Sequence, residues 1–456
     1  MKGKKLSVFT VCLLCACLLL TGCSKLQEAA ESVTGPRPVK FAAGEFEVET
    51  TTDIAIVLEA GETQLLDELT NLRSADFSGS ACVDEIFAWA NANPDVKVTY
   101  TLTLPDGTVL DNDAKALDFS ALDSSGIAAA AEVLRYLPDV ESIELGRERS
   151  GLGWADIELL RSLYPEAKFK YVFDLYGVET DLQNTQINLS HIPVEDGGAY
   201  IKQVMAYMPD LAYVDMDSCG VSNEDMAAIR DAYPDVKVVW RVWFGTGDLY
   251  SVRTDVERIL ASQSSRSELF PGNCEALMYC TDVKYLDVGH NTNLTDISFV
   301  GYMPKLEVAI LAMCDWTDAS PLANCKNLEY LEMQTTLCTD LSPLSELKNL
   351  RHLNIAYNYE LSDISPLYGL TQLERLWIGC INPVPAEQVA QMQAAAPNCE
   401  INTEVYIDPT GGRWRYVDYN ELAYMYIYHD RYILLREQFD DYASTAFSFY
   451  WNDPLY

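Results

Sequence analysis

The stretch V-K-Y-L-D-V at 283–288 returns as L-E-V-A-I-L at 306–311, L-E-Y-L-E-M at 328–333, L-R-H-L-N-I at 350–355 and L-E-R-L-W-I at 373–378. The fourth residues of these units, Leu286, Ala309, Leu331, Leu353 and Leu376, lie 23, 22, 22 and 23 apart. A second register runs between them: D-I-S at 296–298, then D-A-S-P-L, D-L-S-P-L and D-I-S-P-L from Asp318, Asp340 and Asp363, at 22, 22 and 23. Two offset registers with one period mark a stacked repeat, in which each copy buries its apolar side against its neighbours. The apolar phrase predicts a short parallel strand with its leucines inward. The D-x-S-P-L phrase predicts the turn that carries the chain back.

This pattern resembles the internalin-like, 22-residue class of leucine-rich repeats over about Val283 to Ile378. The resemblance implies an α/β solenoid, a leucine-rich repeat horseshoe with a parallel concave sheet. Three residues after the last strand hydrophobe it implies a side chain that fills the interior and satisfies the turn. Asn291, Cys314, Thr336 and Asn358 suit that task, whereas Ile381 departs from it and is expected to end the run.

Before residue 283 the period lengthens. P-D-V-K-V-T-Y, P-E-A-K-F-K-Y and P-D-V-K-V-V-W begin at Pro94, Pro165 and Pro234, 71 and 69 apart, and Ala75, Ile143, Val214 and Leu286 step by 68, 71 and 72. A third series, Leu117, Ile187 and Ile259, steps by 70 and 72. Three strands per ~70 residues give ~23 residues per turn, within the range of leucine-rich repeats, and one continuous solenoid is the economical reading. Runs following Asp123-Ser124-Ser125 and Asn223-Glu224-Asp225 predict helices on the convex side, each opened by a good N-cap residue and closed near Pro.

The expected organisation is a leader at 1–22, a lipidated Cys and flexible tether at 23–44, an N-terminal cap at 45–71, long super-repeats at 72–282 and 22-residue repeats at 283–381. A final helix and strand at 382–410 and an aromatic C-terminal cap at 411–456 complete it. In that cap Tyr424, Tyr428, Tyr432, Leu435 and Phe439, spaced 4, 4, 3 and 4, predict one helical stripe docked on the last turn.

Lys2, Lys4 and Lys5, the apolar run from Leu6 to Leu20 and L-T-G-C at 20–23 form a secretory leader too short to be a typical membrane span. The L-T-G-C run resembles a bacterial lipobox, which implies cleavage before Cys23 and a diacylglyceryl group on its sulfur. The expected location is the extracytoplasmic face of a bacterial cell-envelope membrane, held by lipid. Residues 24–44 are polar, with Gly35-Pro36 and Pro38, as befits a tether.

Composition narrows the function. The 456-residue chain sets 32 Lys and Arg against 68 Asp and Glu, and a net charge of −36 has the wrong sign for a phosphate backbone, so no nucleic-acid partner is expected. Four His in the whole chain leave few imidazoles for acid–base or metal chemistry. Nine Cys follow Cys23 at irregular spacings, without zinc-site spacing, and most are expected to be small buried hydrophobes. Neither G-x-S-x-G, H-E-x-x-H, a P-loop nor a dinucleotide fingerprint is present. Three strands apart, His290 and His352 would stand ~14 Å from one another, too far for a dyad. The recurring Asp296, Asp318, Asp340 and Asp363 are better explained as caps of free backbone N–H groups than as calcium ligands. No enzyme activity, cofactor or metal is expected.

What remains is the concave face, onto which the residues between the buried leucines point. One column reads Tyr285, Val308, Tyr330, His352 and Arg375, and its neighbour Asp287, Ile310, Glu332, Asn354 and Trp377. Tyr213, Arg241 and Trp243 extend the face backwards. Aromatic residues and Arg are enriched in binding hot spots, so these side chains are expected to be exposed and to bind a protein or glycan ligand. A structural envelope component without a soluble ligand is the alternative reading, and an extracytoplasmic enzyme the least favoured.

Overall fold

The computed structural model describes residues 37–404 except 150, 249, 263–267 and 380–383, together with 414–420 and 425–428. Cys23, Ile381 and most of the aromatic C-terminal region therefore lie outside the described residues. The chain divides into two units, Met1–Phe173 with Asp181–Gln183, and Asp174–Thr180 with Asn184–Tyr456.

In the first unit the strands Asp53–Ala55, Ser74–Asp76 and Lys97–Thr99 pair in parallel with Ile54, Ala75 and Val98 aligned. Ala116–Asp118, Ser142–Arg147 and Lys168–Leu175 form a second such set, with Leu117, Ile143 and Phe169 aligned. Between strands the chain crosses through helices Val83–Ala92, Ser124–Leu134 and Trp154–Leu163, which bury Ile86 and Trp89, Ile127 and Leu134, and Ile157 and Leu160. Asp123 opens the second helix by accepting from the Gly126 N–H at 2.9 Å, as its position before an Ala-rich run predicts.

Two elements of this unit differ from the sequence expectation. Pro38–Phe41 and Gly44–Glu47 pair as an antiparallel hairpin with Val39 and Phe41 buried, so the stretch read as the end of a tether is folded structure. In the N-terminal cap, where the apolar run Ile54-Ala55-Ile56-Val57-Leu58 predicts a strand followed by a helix, the chain forms the strand Asp53–Ala55 and only a short 3-10 segment, Thr63–Glu68.

In the second unit Gln186–Asn188, Tyr213–Asp215 and Lys237–Val239 form a parallel trio. The largest sheet follows, seven strands in sequence order: Arg258–Leu260, Tyr285–Asp287, Val308–Ile310, Tyr330–Glu332, His352–Asn354, Arg375–Trp377 and Glu400–Asn402. Their middle residues, among them Leu286, Ala309, Leu331, Leu353 and Leu376, stand in one unbroken register. The 22-residue phrase thus sets both strand and stagger, and the fold is a leucine-rich repeat solenoid. Helix Ala386–Ala395 closes the run, before the last strand.

The turns follow the second register. Asp296, Asp318, Asp340 and Asp363 each accept the N–H of the Ser two residues on at 2.7–2.8 Å, opening the 3-10 helices Ser298–Tyr302, Ser320–Asn324, Ser342–Glu346 and Ser365–Gly369. On the opposite bend His290, Met313, Thr335 and Tyr357 all have left-handed backbone, φ 57–64°. That bend aims the next side chain inward. Asn291 there donates to the carbonyls of Ala261 (2.9 Å) and Val288 (2.8 Å) and accepts from the Leu269 N–H, tying adjacent turns together. Asn358 likewise accepts from the Thr336 N–H at 2.8 Å and donates to the Met333 carbonyl at 3.1 Å. Cys314 and Thr336 hold the same interior position.

The repeat pattern leaves one feature unannounced. After each third strand of a long unit the chain forms an antiparallel hairpin: Thr101–Thr103 with Val109–Asp111, the end of Lys168–Leu175 with Val178–Asp181, and Arg241–Phe244 with Tyr250–Arg253. Turns with Gly107, Gly177 and Gly245, all at φ 79–91°, make the bends. The helical stripe expected in the C-terminal cap is also corrected, because Met425–Tyr428 is a strand paired with Tyr416–Asn420. Tyr424, Tyr432, Leu435 and Phe439 lie outside the described residues.

Candidate functional site: the outer face of the seven-stranded sheet

Strand pleating turns Leu331, Leu353 and Leu376 to the interior and sends their neighbours to the other face, as the sequence predicts. The exposure expected of those neighbours is overturned. Tyr285, Tyr330, Glu332, His352, Asn354, Arg375 and Trp377 are all at most 5% exposed. Asp287 is half-buried, its carboxylate accepting the Gly289 N–H at 3.0 Å.

The cover comes from the chain itself. Trp414 lies over the middle of the face, its ring 5.6 Å from Tyr330, 6.0 Å from His352 and 5.5 Å from Trp377, and it completes an apolar cluster with Tyr285, Val308 and Ile310. Arg375 reaches the Trp414 carbonyl at 2.5 Å, packs its guanidinium over the Trp377 and Trp414 rings, and holds Glu400 at 3.0 Å.

Glu332, fully buried, is the centre of the arrangement. It accepts from Arg415 Nε at 2.8 Å and from Arg415 Nη2 in a two-pronged pair, from Trp414 Nε1 at 2.9 Å and from the Tyr330 hydroxyl. Burial works to raise the Glu332 carboxyl, but the Arg415 charge and these hydrogen bonds outweigh it and hold the group below its ordinary value. His352 Nε2 stands 3.5 Å from a Glu374 carboxylate oxygen. His290 is pushed below its ordinary value by burial and by the nearby Arg415 charge. Among the described residues two donors on this face find no acceptor: Trp377 Nε1 and Asn354 Nδ2, on neighbouring strands in register.

Of the remaining residues expected on the face, Arg241 is buried elsewhere. It makes a two-pronged pair with Asp217, Nε to Oδ1 at 2.9 Å and Nη2 to Oδ2 at 2.7 Å. Beside it Arg253 holds Asp215 at 3.0 Å and the Tyr213 hydroxyl at 2.7 Å. Both arginines sit opposite one another in the hairpin that follows Lys237–Val239, so the pairs pin that hairpin to the strand Tyr213–Asp215. Trp243, 46% exposed, is the one expected contact residue on the exposed side; the others are buried or half-buried.

Sequence reasoning missed Trp414 and Arg415. The signal was there in two parts: R-W-R at 413–415 in a strongly acidic chain, and two columns containing Val308, Ile310, Tyr330 and Trp377, more apolar than an open face tolerates. Eight body cysteines are free and buried, and burial pushes Cys219, Cys274, Cys314, Cys325 and Cys399 up to about 12, so none is a ready thiolate; Cys380 lies outside the described residues. Among the described residues no group of three His, Cys, Asp or Glu could hold a metal, and no helix is long and apolar enough to cross a membrane.

No protein-family model matches the chain, and no curated protein matches its sequence. Among solved structures it is similar to an internalin (InlF) of Listeria monocytogenes, at 17% identity over 80% of this chain and 86% of that one, TM-score 0.30. It is also similar to a leucine-rich repeat protein of Leptospira interrogans, at 14% identity over 76% of this chain and 92% of that one, TM-score 0.30. At this level the likeness bears on nothing beyond the fold, which the strand register carries by itself.

Proposed function

We propose that this is a non-enzymatic cell-envelope protein, anchored through a lipid on Cys23, that binds a protein or glycan ligand with the concave sheet face of its repeats. The observation that carries the reading is the gathering of Tyr285, Tyr330, His352, Arg375, Glu332 and Trp377 on one sheet face, rich in the aromatic and Arg residues that dominate binding hot spots. The face is already sealed at its centre by Trp414 and Arg415, so a ligand meets first its margins: half-buried Asp287 on the sheet, and Tyr213 and exposed Trp243 on the preceding strands. The lipid anchor rests on the leader and L-T-G-C alone.

The test is capture from envelope and host-surface extracts by the chain from Ser24 onward. A specific partner should be retained by the parent and lost, at least tenfold, from Trp243→Ala and Asp287→Lys variants with unchanged melting temperatures. Capture that ignores both changes would remove this face from the binding surface.

A further inference from the structure

We infer that the cleft beside the first hairpin, between the amino end of helix Val83–Ala92 and the carboxyl end of helix Ser124–Leu134, is a binding site for a neutral saccharide unit. It lies wholly within the first unit, and nothing in the sheet face of the second unit is needed to form it.

The hairpin opens the cleft. After strand Lys97–Thr99 the chain runs not into a helix but into the hairpin, whose strand Thr101–Thr103 lines the gap between the two helices. The cavity measures about 490 Å³, the size of a small-ligand site. Its hydroxyls and carboxylates still have bonds to make. Ser80, 6% exposed, accepts the Leu58 N–H at 2.8 Å, and no acceptor among the described residues takes its proton. Thr101 Oγ1 accepts the Gly79 N–H at 2.9 Å and keeps its own proton to donate. Asp84 and Glu132 are exposed and accept no hydrogen bond among the described residues. Arg135 lies over the Tyr136 ring at 4.9 Å and donates to its hydroxyl at 3.0 Å, leaving its other N–H groups unbonded. Hydroxyl donors, carboxylate acceptors and the small apolar side chains between them match a ligand that bears many hydroxyls on a carbon ring: each carboxylate can accept from two hydroxyls, and the Ser and Thr protons can meet ligand oxygens. A metal ion fits less well, since among the described residues no group of three His, Cys, Asp or Glu could hold one.

The second unit carries the same frame with the space closed. Asp84 is the second residue of its helix, as Glu224 is of helix Asn223–Ala232, and Tyr100 and Trp240 each follow 16 residues later. In the second unit the Tyr279 hydroxyl donates to Glu224 at 3.4 Å, the Trp240 indole donates to Asn223 at 2.9 Å, and Arg230 covers the Trp240 ring. In the first unit Val83 and Asp84 stand in place of Asn223 and Glu224, and the Tyr100 hydroxyl donates to the Tyr136 carbonyl at 2.6 Å. Asp84, one methylene shorter than Glu224, bonds no tyrosine. The frame is thus closed by its own side chains in one copy and left open, with unspent donors and acceptors, in the other.

The test is saturation-transfer NMR and calorimetric titration of the full chain with glucose, galactose, mannose and N-acetylglucosamine, each alone. At least one of them should bind saturably, and Asp84→Ala and Glu132→Ala should each weaken that binding about tenfold, the effect of losing hydrogen bonds to a charged group. Both residues are exposed, so the melting temperatures should hold. Asp84→Glu keeps the charge but restores the length of Glu224, so its carboxylate should reach the Tyr136 hydroxyl, close the cleft and weaken binding as well. Glu224→Ala in the second unit should leave binding unchanged. No saturable binding of any of the four sugars, or binding that ignores both Asp84→Ala and Glu132→Ala, would overturn the inference. So would an ethylammonium ion that binds more tightly than every sugar, because the two acids would then form a cation site.

Discussion

Replacing Arg415 by Ala removes one partner of a carboxylate that has no other cation within bonding distance among the described contacts. Glu332 is 0% exposed and Arg415 has a side chain 19% exposed, so water cannot take over the lost bonds without opening the face. Breaking a buried pair in this way costs about 3–5 kcal/mol, because the remaining charge is left uncompensated. The sign of the pH dependence follows. In the parent the folded-state value of Glu332 is lowered, so its contribution is full above the unfolded value of about 4.3 and fades as pH falls through the folded value. In Arg415→Ala only burial and neutral donors remain, burial raises the group, and the penalty is greatest near neutrality and relieved on acidification. Urea unfolding of parent and variant between pH 7 and pH 5 therefore should show a gap that narrows as pH falls, and Glu332→Gln/Arg415→Ala should recover part of the loss at neutral pH. A gap below about 1 kcal/mol, the scale of an exposed pair, or one that does not change with pH, would refute the reasoning.

Leu353→Ala should cost about 2–5 kcal/mol from lost burial, and Asn354→Ala, which removes an unmet donor along with an acceptor for the Ala356 N–H, should cost less than Leu353→Ala in the same urea assay. Asp340→Ala should lose about 0.5–2 kcal/mol, the range of a lost cap, while added calcium leaves the parent's melting temperature unmoved, since the Asp340 carboxylate serves the Ser342 N–H. Cys23→Ala should abolish radiolabelled palmitate incorporation and leave the protein unprocessed; unchanged labelling contradicts the lipid anchor.

How far the sequence discloses the molecule depends on whether a feature repeats. The 22-residue phrase places Leu331, Leu353 and Leu376 inside, Asp318 and Asp340 at the turns, and Asn291 and Asn358 between turns, because each performs one local task in successive copies. The hairpins of the long units were legible only in hindsight, from Gly107, Gly177 and Gly245, which follow Val98, Phe169 and Val238 of the third strands by 9, 8 and 7 residues. The closure of the sheet face was not periodic at all. Strand alternation says which way Tyr330 or Trp377 points, yet whether water or a distant segment meets it depends on Trp414, 82 residues along the chain from Glu332. Arg241 misled for the same reason: its partner, Asp217, belongs to another strand's environment.

The central claim is that the chain's own Trp414 closes the repeat face by donating to Glu332, and exchange of the Trp414 indole N–H with solvent measures it most directly. Assigned by comparison with Trp414→Phe in a spectrum of indole N–H resonances, this proton should be among the slowest indole protons to exchange and should speed up in Glu332→Gln. Exchange as fast as that of exposed Trp243 would contradict the account.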